Sequence, residues 1–288
     1  LLLIISLNNN KNNIMAEFII VFREVLEGAL IAGILYTFLK KSNQESLIPQ
    51  LWQGVGAAII LSLIGSVLFQ QFAGGFKGQA GKIFEGVVMI AASIVLGTMI
   101  VWMAKNSNIA EDLKSKASES LTGSNAGWGI FTLAFISVFR EGVETILFLY
   151  GVMTQKGSVS IIASFLGLIL ALGLTYMIFI QGTKVPLKKF FNISSIALIF
   201  VAGGMMAYGV HELESAGVIK DFGRLWDINP PKLPDGSYPM LHDKGYVGGL
   251  LKGLFGYNGD PSAIELFAWL VSTLGLGYMW KTISEKSA

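Results

Sequence analysis

Two short segments of the chain carry the same charged pattern, Arg-Glu-x-x-Glu, at residues 23–27 and 140–144. The surrounding decapeptides, residues 18–27 and 135–144, are identical at seven of ten positions, including all three charges. On an α-helix of about 3.6 residues per turn, the two glutamates of each copy stack on one face. The arginine lies one turn before the second glutamate and can pair with it. Each copy therefore predicts a helix face that carries two carboxylates and one guanidinium group.

Carboxylate oxygens are hard donors, so the two motifs favour a hard or borderline cation over a soft one. The predicted metal ligands are Glu24, Glu27, Glu141 and Glu144, and their predicted charge partners are Arg23 and Arg140. Four carboxylates cannot all stay ionised in a low dielectric without a cation, and two arginines offset half of that charge. The remainder favours a multivalent cation. The alternative is structural: each arginine pairs with its own glutamate and only locks the helices together.

The composition indicates a membrane protein, because 53% of the residues are apolar and 14% are charged, against roughly 25% charged in soluble domains. The apolar residues form seven blocks, each near the roughly 20 residues that a membrane-spanning helix needs. The predicted spans are residues 17–39, 51–72, 82–104, 128–152, 158–181, 191–212 and 262–281. We therefore predict an all-α polytopic membrane protein with seven transmembrane helices.

The two motifs fall in predicted spans 1 and 4, which cross the membrane in opposite directions. Spans 1–3 and 4–6 therefore form a predicted 3+3 inverted repeat, with one C-terminal helix appended. Inverted repeats typically hold their substrate near the midplane, between the two halves. We predict that residues 1–14 are an N-terminal extension that is either non-native or disordered, with Met15 as the natural start. The remaining divisions are a first repeat half (15–127), a second repeat half (128–212), an extracytoplasmic loop (213–261) and a seventh span with a cytoplasmic tail (262–288).

Lysines in the short loops predict the orientation, because cytoplasmic loops carry an excess of Lys and Arg. The loops after spans 1, 3 and 5 and the C-terminus hold more lysines than the loops after spans 2 and 4. We therefore expect a multi-pass protein of the plasma or inner membrane, with its N-terminus outside and its C-terminus in the cytoplasm.

Polar residues at the outer ends of spans 3 and 6 could form an access site for the ion. The candidates are Glu85, His211, Glu212 and Glu214. His211 and Glu214 lie three residues apart and so share a helix face. The alternative for Glu85 is a carboxylate that the helix dipole favours at a helix N-terminus, and the alternative for the others is an ordinary polar helix end.

Several function classes are disfavoured. The net charge of +2 gives no case for nucleic acid, and the absence of cysteine excludes disulfides and thiolate metal sites. With two histidines, the chain offers no nucleophile–base pair, so we predict neither an enzyme nor a prosthetic cofactor. A membrane redox protein remains the alternative from another class.

Paired Arg-Glu-x-x-Glu motifs in spans 1 and 4 of a seven-span chain resemble the oxidase-dependent iron permeases, which include the fungal high-affinity permease and the bacterial EfeU type. The segments Leu-Phe-Gly-Tyr-Asn at 254–258 and Asp-Pro-Ser at 260–262 are similar to the bacterial members. The resemblance implies iron as the transported substrate, the four motif glutamates as its ligands, and a separate oxidase or extracytoplasmic iron-binding protein as partner. Transport of another metal, divalent or lead-like, or of an organic cation remains an alternative.

Overall fold

A computed structural model of the chain describes residues 15–105, 109–122, 125–156, 159–179, 187–221, 223–233 and 237–286. Across these ranges the secondary structure is helical apart from one isolated antiparallel bridge, Arg224 to Ser262. The α-helices are α1 (Met15–Lys41), α2 (Ile48–Ala73), α3 (Gly78–Lys105), α4 (Ile109–Thr122), α5 (Ala126–Lys156), α6 (Ile161–Phe179), α7 (Leu187–Ser215), α8 (Tyr246–Phe255) and α9 (Ala263–Lys286). The predicted extension, residues 1–14, lies outside the described residues.

Each of the seven predicted spans overlaps one of these helices. The fifth, residues 158–181, has wider bounds than α6, and the seventh, residues 262–281, begins one residue before α9. Five helical segments are long and apolar enough to cross a membrane: those of α2, α3, α6, α7 and α9. Helices α1 and α5 have 27 and 31 residues, but the three charged residues of each motif set them apart from those five segments. The all-α polytopic membrane fold is confirmed, and the crossing of α1 and α5, which makes the number seven, remains a prediction.

Two helices were not predicted from the sequence. Helix α4 lies in the predicted loop between spans 3 and 4, and it buries Leu113 and Ala117, which are four residues apart on one face. Helix α8 lies in the predicted extracytoplasmic loop and ends at Gly256, whose φ of 68° is the left-handed conformation that glycine adopts at helix C-termini. Helix α4 is too polar and α8 too short to be predicted as a membrane span from the sequence.

The helix packing has the symmetry expected of an inverted repeat. Helix α1 packs on α6, and its counterpart α5 packs on α2. Helices α1 and α5 also contact each other, as do α3 and α7. Exchanging α1 with α5, α2 with α6 and α3 with α7 maps every one of these contacts onto another or onto itself. A two-fold axis relating two three-helix units produces this pattern, with α1 and α5 beside the axis.

The contact between α3 and α7 is close because glycine occupies both sides of it. A Cβ added to Gly86 would lie 2.9 Å from the carbonyl oxygen of Gly209, and a Cβ on Gly209 would lie 2.9 Å from the carbonyl oxygen of Gly86. Small residues allow helix backbones to approach in this way within membranes. Ser93 of α3 adds a hydrogen bond of 2.7 Å to the carbonyl oxygen of Ala202.

Two apolar clusters lie on either side of the motifs. On the side where α1 begins, Ile20, Met89, Phe148 and Met205 belong to a buried cluster. On the side where α1 ends, Leu35, Leu39 and Ile130 pack with Leu113 and Ala117 of α4. The motifs therefore occupy the middle of the bundle, between two layers of apolar side chains.

Candidate functional site

Three of the four predicted ligand carboxylates come together where α1 passes α5. One carboxylate oxygen from each of Glu24, Glu141 and Glu144 lies within 4.8 Å of the others. Their exposed fractions are 1%, 3% and 7%. Within the described ranges this is the one group of three or more acidic, His or Cys side chains close enough to share an ion. Glu27, the fourth predicted ligand, is buried nearby but is not in the group.

These carboxylates keep oxygens that make no hydrogen bond to the described part of the chain. They are both oxygens of Glu24 and the Oε2 atoms of Glu141 and Glu144. An unpaired carboxylate oxygen in an apolar surrounding is costly, and a bound cation or a proton would compensate it. The three side chains can therefore offer oxygen ligands to one ion.

Arg23, the arginine of the first motif, is fully buried. Its Nε lies 2.9 Å from Oε1 of Glu27, and its Nη1 lies 3.8 Å from Oε1 of Glu24. Both contacts are ion pairs by distance, but neither nitrogen has the angles of a hydrogen bond. Nη2 donates to the sulfur of Met103 on α3, at 2.7 Å. Arg23 thus lies closer to Glu27 than to Glu24. Glu24, whose carboxylate is farther from the guanidinium group, is the residue that α1 contributes to the group of three carboxylates.

Arg140, the equivalent arginine in the second motif, has a different environment. Its side chain is 46% exposed. Its Nε and Nη2 donate to Oε1 of Glu141 at 3.1 and 2.6 Å, and its Nε lies 3.5 Å from Oε1 of Glu144. Its guanidinium carbon lies 5.2 Å from the centre of the Trp102 ring on α3. Two motifs that match in sequence therefore hold their arginines differently.

The sequence of the whole chain matches that of known iron transporters. A sequence model described as "Iron permease FTR1 family" matches residues 14–287. The chain belongs to this family. Proteins named "Ferrous iron permease EfeU" are similar to it: one from Yersinia pestis is 29% identical over 91% of this chain and 92% of its own length. Another, from Escherichia coli, is 30% identical over 88% of this chain and 90% of its own length. No solved structure matches the chain.

Membership of the FTR1 family confirms the resemblance drawn from the paired motifs. It also supports membrane iron uptake as the general function, so that iron is the substrate rather than a resident cofactor. In an iron permease, buried carboxylates with unpaired oxygens between two helices are candidates for contact with the transported ion. The roles of the individual residues remain predictions.

The four candidates for an access site do not form one cluster. Glu85 of α3 and Glu212 of α7 interact electrostatically with each other and with Tyr208. The Nδ1 atom of His211 lies 3.2 Å from Oε2 of Glu265 on α9. Helical spacing predicts that His211 and Glu214 share a face, and the packing of α9 adds the carboxylate of Glu265 beside His211.

Two further glutamates, Glu265 and Glu17, are buried but are not among the predicted site residues. Glu265 is 4% exposed, and its carboxylate accepts a hydrogen bond from Asn258 at 2.7 Å. The pattern Ser262-x-x-Glu265, a capping box, could have revealed it, and Ser262 Oγ does accept from the backbone N–H of Glu265. Glu17 is 2% exposed and accepts from the backbone N–H of Ser160, which precedes α6. It lies seven residues before Glu24, two turns away on the same face of α1.

A cavity of about 1380 Å³ lies between α1, α2, α5 and α6. Glu24 and Glu141 are on its wall, together with the hydroxyl groups of Ser62, Ser66 and Thr145. Most of the remaining lining is apolar. The carboxylate group therefore borders an open cleft between these helices and is not sealed by packing on all sides.

Proposed function

We propose that this chain imports iron through a binding site formed by Glu24, Glu141 and Glu144, with Glu27 as the adjacent fourth carboxylate. The observation that carries the proposal is the group of three buried carboxylates within 4.8 Å of one another, with unpaired oxygens. Charged groups inside a membrane bundle are expensive to maintain and generally mark substrate pathways. The family membership supplies the identity of the ion.

The charge balance of the site suits a divalent ion. Four glutamates carry four negative charges when ionised, and Arg23 and Arg140 carry two positive charges, which leaves an excess of two. Ferrous iron would neutralise that excess. The name "ferrous iron permease" of the similar proteins points the same way. Without the ion, the excess would be relieved by protonation, so binding of iron releases protons from the site.

The inverted repeat supports an alternating-access mechanism. The two halves would rock about the shared α1–α5 contact and expose the site first to the outside and then to the cytoplasm. The N-terminus lies outside in this scheme, and Glu85 and Glu212 lie on the outer approach to the site. The resemblance to oxidase-dependent permeases supports delivery of iron by a separate oxidase or extracytoplasmic iron-binding protein.

A second candidate is transport of another divalent metal through the same site, because three carboxylates do not by themselves select iron among borderline cations. Competition among metals during uptake distinguishes the two. Iron uptake that manganese or zinc suppresses at equal concentration would favour the broader substrate range.

The test is uptake of radioactive iron into cells that lack other iron importers, with surface levels measured for each variant. Glu24→Gln and Glu141→Gln should raise the half-saturating iron concentration at least tenfold. One charge interaction at about 4 Å and an effective dielectric near 20 is worth about 4 kcal/mol. The matched control is Glu119→Gln, on the exposed face of α4. Natural uptake in both motif variants would refute the assigned site, and absence of uptake by the natural chain with its partner supplied would refute iron import.

A further inference from the structure

Consecutive residues of α3 contact the two motif arginines. Met103 contacts Arg23 of the first motif, with 2.7 Å between its sulfur and Nη2. Trp102 contacts Arg140 of the second motif, with 5.2 Å between the guanidinium carbon and the ring centre. Helix α3 carries neither motif, yet its last turns touch the guanidinium group of both.

The contact with Met103 influences which carboxylate Arg23 neutralises. A thioether sulfur is a weak hydrogen-bond acceptor, and no ion pair competes with it for Nη2. By holding one end of the planar guanidinium group, Met103 leaves Nε at 2.9 Å from Glu27 and Nη1 at 3.8 Å from Glu24. An arginine released from Met103 could rotate about its long side chain and move closer to Glu24.

The contact with Trp102 has the same consequence in the second motif. The face of an indole ring attracts a guanidinium group, and the half-exposed Arg140 would otherwise be free to extend away from the bundle. With its guanidinium group beside this ring, Arg140 donates two hydrogen bonds to Oε1 of Glu141. The other oxygen of Glu141, Oε2, then remains without a hydrogen bond.

We propose that Trp102 and Met103 are positioning residues of the ion site. They hold the two guanidinium groups on Glu27 and on one oxygen of Glu141, so that Glu24 and the remaining oxygens of Glu141 and Glu144 stay available to the cation. This inference rests on the proposed function of the carboxylate group.

The positioning pair belongs to one half of the repeat only. Helices α3 and α7 are counterparts in the repeat, and an offset of 107 residues aligns Gly97 with Gly204 and Met99 with Met206. The same offset aligns Trp102 and Met103 with Gly209 and Val210. Glycine and valine can provide neither an aromatic face nor a sulfur. Arg23 is buried and Arg140 is half-exposed, and the helices of the two halves differ in the same way. Helix α3 carries an aromatic ring and a sulfur beside the arginines, whereas the aligned residues of α7 provide neither.

The first test measures the carboxyl groups directly and does not depend on transport. Dicyclohexylcarbodiimide reacts with protonated carboxyl groups in apolar surroundings, and mass spectrometry of the purified protein gives the labelling ratio of Glu27 to Glu24. In Met103→Leu, Glu27 should lose its counter-ion and Glu24 should gain one. We expect the ratio to rise about fivefold, which corresponds to the net contribution of one ordinary hydrogen bond.

Two variants make this result specific. Met103→Gln returns an acceptor of similar length and should restore most of the natural ratio, which a purely packing role would not do. Met99→Leu replaces a buried methionine of the apolar cluster on the same helix and should leave the ratio unchanged. A natural ratio in Met103→Leu, or an equal change in Met99→Leu, would overturn the assignment of Met103.

The second test concerns Trp102 and uses both labelling and uptake. Trp102→Leu should change the labelling of Glu141 and raise the half-saturating iron concentration about threefold to tenfold at an unchanged maximal rate, because a cation–π contact is lost. Trp102→Phe keeps a ring face and should retain more of the natural behaviour. The control is Trp128→Leu, at the start of α5, where the ring stacks on Phe131.

The two tests separate failure of the inference from failure of the proposed function. If the natural chain takes up no iron, the proposed function is wrong, and the labelling ratios alone decide the positioning roles. If iron is taken up but Trp102→Leu matches Trp128→Leu in both measurements, Trp102 has no positioning role.

Discussion

Replacing Arg23 with glutamine should destabilise the protein far more than the equivalent change at Arg140. Arg23 is fully buried, and its nearest carboxylate, on Glu27, is 8% exposed at a distance of 2.9 Å. Removing one member of a buried ion pair costs about 3–5 kcal/mol, because the remaining charge is left without compensation. Arg140 is 46% exposed, and its main partner Glu141 lines the open cleft. Water can reach the carboxylate that Arg140→Gln leaves behind, so we expect a smaller loss of about 1 kcal/mol.

The assay is thermal unfolding of the purified protein in lipid nanodiscs at neutral pH. At about 2 °C per kcal/mol for a chain of this size, Arg23→Gln should lower the midpoint by roughly 6–10 °C and Arg140→Gln by roughly 2 °C. The double variant Arg23→Gln with Glu27→Gln should recover much of the loss, since it also removes the carboxylate charge that Arg23→Gln leaves without its nearest partner. Equal midpoints for the two arginine variants, or no recovery in the double variant, would refute the reasoning from burial.

Three further predictions concern helix packing, the outer segment and protons. Gly86→Ala should destabilise the protein by about 1–3 kcal/mol, because its Cβ would lie 2.9 Å from the carbonyl oxygen of Gly209. The control is Gly173→Ala, whose Cβ would meet nothing within 4 Å. This variant should be neutral or stabilising in the same unfolding assay. Glu265→Ala should speed proteolytic cleavage within residues 216–262, because Asn258 and His211 lose a shared carboxylate; Glu285→Ala, 68% exposed on the same helix, should not. The half-saturating iron concentration of the purified protein should rise as pH falls, by up to about tenfold per pH unit for each displaced proton, and a flat profile would mean that iron displaces no proton.

The fold was largely predictable because membrane helices appear in a sequence as long runs of apolar residues. Long apolar blocks leave few alternatives to a helix where backbone groups cannot bond to water, and each of the seven predicted spans overlaps a helix. Helix α4 was not predicted because its apolar face is narrow, with Leu113 and Ala117 as its buried residues. Its helical state depends on packing against α1 and α5, which is a tertiary contact.

The site was predictable in its residue types but not in its arrangement. The repeated motif identified Glu24, Glu141 and Glu144, and the spacing identified the pairing of each arginine with the glutamate one turn later. The sequence placed the two motifs on equal terms. The structure distinguishes them, because Met103 and Trp102 give the two arginines different neighbours and different exposure.

The sequence by itself determined that the same three charges occur twice within predicted membrane spans, since the cost of burying charge makes such a pattern improbable without a role. The tertiary structure decided which oxygens are unpaired, because that depends on where α3 places its side chains beside the arginines. It also decided that His211 lies beside Glu265 of α9, a partner outside its own helix. Helical periodicity fixes directions within one helix, whereas partners across helices are set by packing between segments that are distant in the chain.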